Sequence, residues 1–282
     1  MRLLLTNDDG VGARGLAVLA HAVERWIAAA PPGEERDAIV VAPDRNYSGM
    51  SAAVGDVFAR PSVSYRRHHL EGAPSLPAYG LDAPPALCAI MGALGTFDLV
   101  PDVIVSGINA GANVGRSVLH SGTVGAVLTG AQLGLSGIAV SVQWGDHVHY
   151  DTAAAVCVEV LEELVAAPGR TVLNLNVPNL AREQLAGVRR ARVSTAGIVK
   201  AAGARAGGPP LADEGELPLR LGAATPSLGD VSDEEADEDG ALLAAGYATL
   251  TPLRGPHEDT DPGLDASVEA ALGVIEAHLR RS

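Results

Sequence analysis

Along the first 180 residues, short unbroken apolar runs alternate with longer stretches of helical spacing. Leu3–Leu5, Ala38–Ala42, Val103–Val105, Ile138–Val142 and Val172–Leu175 have the length and composition of strands buried on both faces. Between them, residues 14–30 put Leu16, Leu19, Ala20, Val23 and Ile27 on one helical face, until Pro31-Pro32-Gly33 stops the helix. Residues 85–95, 124–133 and 151–166 read as three further helices. Residues 45–56 read as a loop, 57–65 as an excursion of short strands, and 106–122 as a glycine-rich loop. This β-α-β rhythm predicts an α/β fold: a three-layer, Rossmann-like, doubly wound and mostly parallel sheet over residues 1–185.

After residue 185 the rhythm breaks. Residues 189–194 are basic and strand-like, and 201–240 are rich in Gly, Ala, Pro and acids, as in a loop or extended arm. A strand over 246–252 and a terminal helix over 263–281, with Val268, Leu272, Ile275 and Leu279 on one face, complete the chain. Residues 186–282 therefore read as a C-terminal β-hairpin/helix extension for oligomerisation.

Composition refines this picture. The chain has 282 residues, 47% hydrophobic but only 3% aromatic, so its core must be built from Ala, Val, Leu and Ile. The net charge of −14 disfavours a bare nucleic-acid surface and no stable nucleic-acid complex is expected, although residues 213–239 alone carry ten acids against one base, Arg220. Cys88 and Cys157 lie in apolar surroundings without metal-ligand spacing, as free thiols do in a reducing compartment. No signal peptide opens the chain and no apolar run approaches the ~20 residues of a spanning helix, so a cytoplasmic protein without membrane contact is expected.

The chemistry gathers at predicted strand ends. Asn7-Asp8-Asp9 follows the first strand. In open α/β sheets that edge binds ligands, and two adjacent like charges call for a partner, most simply a hard divalent cation with oxygen ligands. Gly10-Val-Gly12-Ala-Arg-Gly15 spells the dinucleotide-binding G-x-G-x-x-G, with Asp44 ending the next strand. However, Asp8 and Asp9 would repel a pyrophosphate placed beside those glycines. Asn46 and Ser48 follow the second strand, and Ser48 can offer a metal its hydroxyl. Asn109 and Asn113 lie in the glycine-rich loop after the third, and an Asn carbonyl ligates without adding charge. His120-Ser121-Gly122-Thr123 opens a helix, where free N–H groups and hydroxyls make an anion site. An all-oxygen donor set indicates Mg²⁺, Mn²⁺ or Ca²⁺ rather than a thiolate zinc site. A cation beside an anion pocket suggests metal-assisted phosphate ester hydrolysis. Two rivals remain besides a dinucleotide-binding protein. One is a non-catalytic metal- or nucleotide-binding protein. The other, a receiver-type signalling domain, needs an Asp after the third strand and a Lys after the fifth, whereas Ser106-Gly107 and Asn176-Val177-Pro178 stand there.

Five segments in order, Leu5–Gly10, Val41–Gly49, Ser106–Gly115, Ser121–Val124 and Asn174–Asn179, with Gly246–Pro252 beyond them, resemble the SurE family of stationary-phase survival proteins. The stretches Gly80–Cys88 and Thr129-Gly130 depart from the family's usual sequence. The resemblance implies a divalent metal held by Asp8, Asp9, Ser48 and Asn109, and removal of phosphate from nucleoside monophosphates. It also implies a homodimer or homotetramer that exchanges C-terminal elements. Asn113, Ser121, Gly122 and Thr123 are the expected phosphate-binding groups. His120 is a candidate proton donor, and Asp8 or Asp9 a candidate nucleophile, base or ligand.

Overall fold

The computed structural model describes residues 1–59, 61–164, 169–195, 199–201, 221–223 and 236–256. The elements run β1 (Arg2–Thr6), α1 (Arg14–Ala28), β2 (Asp37–Pro43), β3 (Tyr65–His68), β4 (Ala78–Leu81), α2 (Pro85–Ala93), β5 (Val103–Ala110), α3 (Gly122–Gln132), β6 (Ser136–Val142), α4 (Tyr150–Leu164), β7 (Val172–Val177), β8 (Gly187–Arg190), β9 (Val199–Ala201), β10 (Leu221–Ala223), α5 (Asp239–Ala244) and β11 (Tyr247–Leu253). Nine strands form one mixed sheet in the order β3-β4-β2-β1-β5-β6-β7-β11-β8, and β9 and β10 make a separate antiparallel pair. The six strands from β4 to β7 are parallel. β3 is antiparallel at one edge, and β11 runs antiparallel to β7 at the other with β8 parallel beside it.

The apolar runs become strands because both faces are covered. Leu3, Leu5, Val40, Val105, Ile138 and Val140 face α1 and α4 in one core, while Leu4, Ile39, Val41, Ile104 and Ala139 face α2 and α3 in the other. In α1 the buried set is Gly15, Leu16, Leu19, Ala20, Val23 and Trp26, one stripe of a 3.6-residue repeat. Gly15 is required there by proximity: a Cβ would lie 2.0 Å from the Ile108 carbonyl oxygen. The third glycine of the dinucleotide-like motif thus serves helix–strand packing.

Strand order reverses between β1 and β5, since the chain first winds outward through β2 and β4 and then returns to the other side of β1. A crevice opens at the carboxyl ends where neighbouring connections diverge in this way. Asp8, Asp9 and Asn109 stand there.

Several expectations are corrected. The excursion over 57–65 is turn at 57–59 and irregular over 61–64, and a strand begins only at Tyr65 (Tyr65–His68). Pro61 interrupts its apolar residues, and the strand that pairs with β2 on the side away from β1 is one the pattern hides, β4, only four residues long. The glycine-rich loop begins later than expected because β5 runs on to Ala110. Ile108 is buried, and Asn109 and Ala110 pair with Ser141 and Val142 after a register shift. The strand expected over 246–252 is present but is embedded in the main sheet beside β7. Within the end of the acidic stretch, Asp239 opens α5. The helix expected over 263–281 and most of the arm over 201–240 lie outside the described residues.

Candidate functional site

A cleft of about 250 Å³ at the reversal point is lined by Asp8, Asp9, Ser48, Gly49, Asn109, Ala110, Asn113, Ser117, His120 and Ser121. All four residues expected to hold a metal therefore meet in one place, although they come from the ends of three different strands.

Asp8 is almost fully buried, at 3% exposure. The Thr123 hydroxyl donates to its Oδ1 at 2.6 Å, and the Gly122 and Thr123 amides at the start of α3 also hydrogen-bond to its carboxylate. Burial raises the Asp8 pKa above the usual carboxylate value even so, because desolvation outweighs these donors. Asp9 is pushed up to about 6, first by burial and then by the charge of Asp8, against hydrogen bonds from Ser48 and Asn46. Asn46 Nδ2 lies 3.3 Å from Asp9 Oδ1. Among the described residues no Lys, Arg or His forms a salt bridge with either carboxylate.

The second loop is fastened from several sides. Tyr47 N–H donates to the Asp8 carbonyl, and Ser48 N–H to Asn46 Oδ1, both at 2.7 Å. Ser51 Oγ donates to the Leu119 carbonyl at 2.7 Å. Gly125 admits this loop against α3, since a Cβ there would meet the Ser51 carbonyl carbon and oxygen at 2.5 Å.

On the other wall, the bulge in β5 between Ser106 and Asn109 re-aims the strand. Asn109 Nδ2 donates to the Gly111 carbonyl at 2.7 Å, which engages the amide nitrogen and leaves Oδ1 as the atom available to a ligand. Asn113 also lines the cleft. Its Nδ2 donates to Ser141 Oγ at 2.8 Å, its N–H to Asn176 Oδ1, and its carbonyl accepts from both Asn174 and Asn176. The Asn174–Asn176 pair on β7 is thus a clamp on the cleft wall. Ser121 caps α3, accepting from Val124 N–H at 3.1 Å, and keeps its own hydroxyl proton for a ligand. His120 sits exposed at the rim. At the start of α3, the expected phosphate-binding residues Gly122 and Thr123 hydrogen-bond to the Asp8 carboxylate.

Two participants were missed in the sequence. Tyr150, opening α4, is close enough to Asp9 for that charge to help raise its phenol pKa, after burial. Its position just after the 143–149 loop was the available signal. Asp239 is fully buried, and its carboxylate accepts from the amides of Gly115 (3.0 Å), Ser194 (3.1 Å) and Gly240 (2.8 Å). It ties the C-terminal elements to the cleft wall. Nothing in a run of acids marks one member as buried.

The donor set fits a hard cation: one buried and one half-buried carboxylate without a cationic partner, one hydroxyl and one orientated amide oxygen, all facing one crevice. Among the described residues no three His, Cys, Asp or Glu side chains cluster as metal ligands, so any such ion depends on Ser48, Asn109 and the ligand.

Fold and site together define an open-sheet α/β protein with an acidic, oxygen-lined ligand site at the reversal of strand order. The family model described as Survival protein SurE matches residues 3–199, and the chain belongs to this family. It is 41% identical to the 5′/3′-nucleotidase SurE of Escherichia coli O1:K1 / APEC over 197 residues, 69% of this chain and 70% of that protein. It is 34% identical to the 5′/3′-nucleotidase SurE of Serratia proteamaculans (strain 568) over 284 residues, 100% of this chain and 98% of that protein. The crystal structure of the Sure protein from Aquifex aeolicus superposes with a TM-score of 0.70 at 27% identity, covering 98% of this chain and 100% of that one.

Proposed function

We propose that this chain is a 5′/3′-nucleotidase of the SurE type, a phosphomonoesterase that cleaves nucleoside monophosphates to nucleoside and phosphate with one divalent ion, Mg²⁺, Mn²⁺ or Ca²⁺. The observation that carries the reading is the convergence of Asp8, Asp9, Ser48 and Asn109 in the cleft at the switch point. The family membership and the names of its relatives agree with it.

Asp8, Asp9, Ser48 and Asn109 would hold the ion, which supplies Lewis-acid polarisation of a phosphoryl oxygen and activation of water. Thr123 and the start of α3 fix the Asp8 carboxylate in place and offset part of its desolvation. Ser121, with its free hydroxyl proton, and the rim residue His120 are the groups of this chain that reach the phosphoryl and leaving oxygens. Asn113 keeps the wall in shape. The fold is read as three-layered and Rossmann-like over 1–185, with 186–282 serving assembly as a homodimer or homotetramer. Among the described residues no helix is long and apolar enough to cross a membrane.

Phosphate release from a panel of nucleoside monophosphates, with EDTA and then with each metal restored, tests the reading. Release that disappears with EDTA and returns with metal supports it; release from simple esters but not nucleotides, or none with any metal, defeats it.

A further inference from the structure

We propose that Trp144 is the platform on which the substrate's nucleobase stacks; the proposal rests on the nucleotidase reading of the cleft. Trp144 is 72% exposed, whereas the chain's other tryptophan, Trp26, is 5% exposed beneath the guanidinium of Arg36. Within the single chain most of the Trp144 indole is free of packing, and its flat apolar face suits a ligand with a π surface.

Its position fits the length of a nucleotide. Trp144 lies two residues beyond Val142, the end of β6, and Val142 pairs with the cleft-lining Ala110 and accepts from Gly111 N–H at 2.8 Å. β6 is two strands from β1, so the loop starts about 10 Å across the sheet edge from Asp8 at a strand spacing of roughly 4.8 Å. The other end of the loop returns to the site at Tyr150, beside Asp9.

The loop is also held ready. Asn179, just past β7, accepts from His149 N–H at 2.8 Å and donates to the His147 carbonyl at 2.7 Å. Gly145 runs close against this clasp, since a Cβ there would meet Asn179 Nδ2 at 2.2 Å and displace it from its hydrogen bond to His147. A clasped loop presents its aromatic without an ordering cost at each binding event. Stacking reads no base edge, so this platform accepts purines and pyrimidines alike and favours the larger purine face.

Initial rates with Mn²⁺ on adenosine 5′-monophosphate and on base-less ribose 5-phosphate test the proposal. Trp144→Ala is expected to raise KM for the nucleotide about tenfold, from the usual strength of base–aromatic stacking, with kcat nearly constant. The nucleotide-to-ribose-phosphate ratio of kcat/KM then falls by the same factor, and Trp144→Phe restores most of it. Equal losses on both esters, or an unchanged ratio, overturn the proposal. So does a ratio lost in Phe58→Ala and kept in Trp144→Ala, because Phe58 is a wholly exposed aromatic on the connection between β2 and β3. Should neither ester be cleaved, the nucleotidase reading fails, but fluorescence still decides the stacking. Quenching by adenosine 5′-monophosphate that vanishes in Trp144→Phe supports it; quenching that persists, or none in the native chain, refutes it.

Discussion

At the scale of single residues, the site is governed by the cost of desolvating two adjacent carboxylates, Asp8 buried and Asp9 half-buried. Asp9 has its pKa raised to about 6, so in the metal-free protein the folded state holds a proton that the unfolded chain releases near its ordinary value of 3.8. The native state then binds more protons between those values, and stability falls as pH rises from about 4 to about 6. Above that window the full penalty remains. Asp9→Asn is therefore expected to stabilise the metal-free protein at pH 7.5 by on the order of 1 kcal/mol, after discounting for solvent screening, while removing metal-restored activity. Thermal unfolding in EDTA checks this, and a destabilised variant would contradict it. Thr123→Val removes the hydroxyl donor to Asp8. The acid limb of the pH–rate profile should move to higher pH, because the ionised carboxylate loses a charge-assisted bond typically worth about 1.5–3 kcal/mol. Thr123→Ser should return it.

At the scale of elements, backbone closeness places the ligands. A Cβ on Gly122 would meet Asp8 Cβ at 2.7 Å and Oδ2 at 2.8 Å. Gly122→Ala should leave the circular dichroism spectrum intact and lower kcat/KM at least tenfold by displacing that carboxylate; unchanged kinetics would refute this role for the start of α3. Asp239 joins three segments that are remote in sequence. Asp239→Ala leaves the Gly115, Ser194 and Gly240 amides without their acceptor and should cost about 3 kcal/mol in urea unfolding, with Asp239→Asn losing less. Apolar runs made the parallel strands legible, because burial on both faces writes an unbroken hydrophobic signature. Asp8, Asp9, Ser48 and Asn109 were legible because strand ends place chemistry. The bulged end of β5 was not, since Gly107 and Asn109 read as loop until Ile108 is seen to be buried. Nor was β4, whose four residues Ala78–Leu81 are too few for a period to show. Asp239 stayed hidden because its neighbours, Asp237 among them, form the exposed ion pair with Arg192 that a charge run normally signifies.

At the scale of the molecule, the nine-stranded sheet shows how the last elements serve the first. β11 pairs with β7, whose Asn174 and Asn176 clamp Asn113, and α5 delivers Asp239 to Gly115. The described C-terminal elements thus brace the cleft. The central claim is that Asp8 belongs to a metal-dependent hydrolytic centre. Its most direct test is phosphate release from adenosine 5′-monophosphate by native chain and Asp8→Asn, each stripped with EDTA and titrated with Mn²⁺. The native chain should recover turnover with metal, and the variant should fold yet remain inactive at every metal concentration. Turnover by Asp8→Asn equal to that of the native chain, or native turnover indifferent to EDTA, would contradict the account.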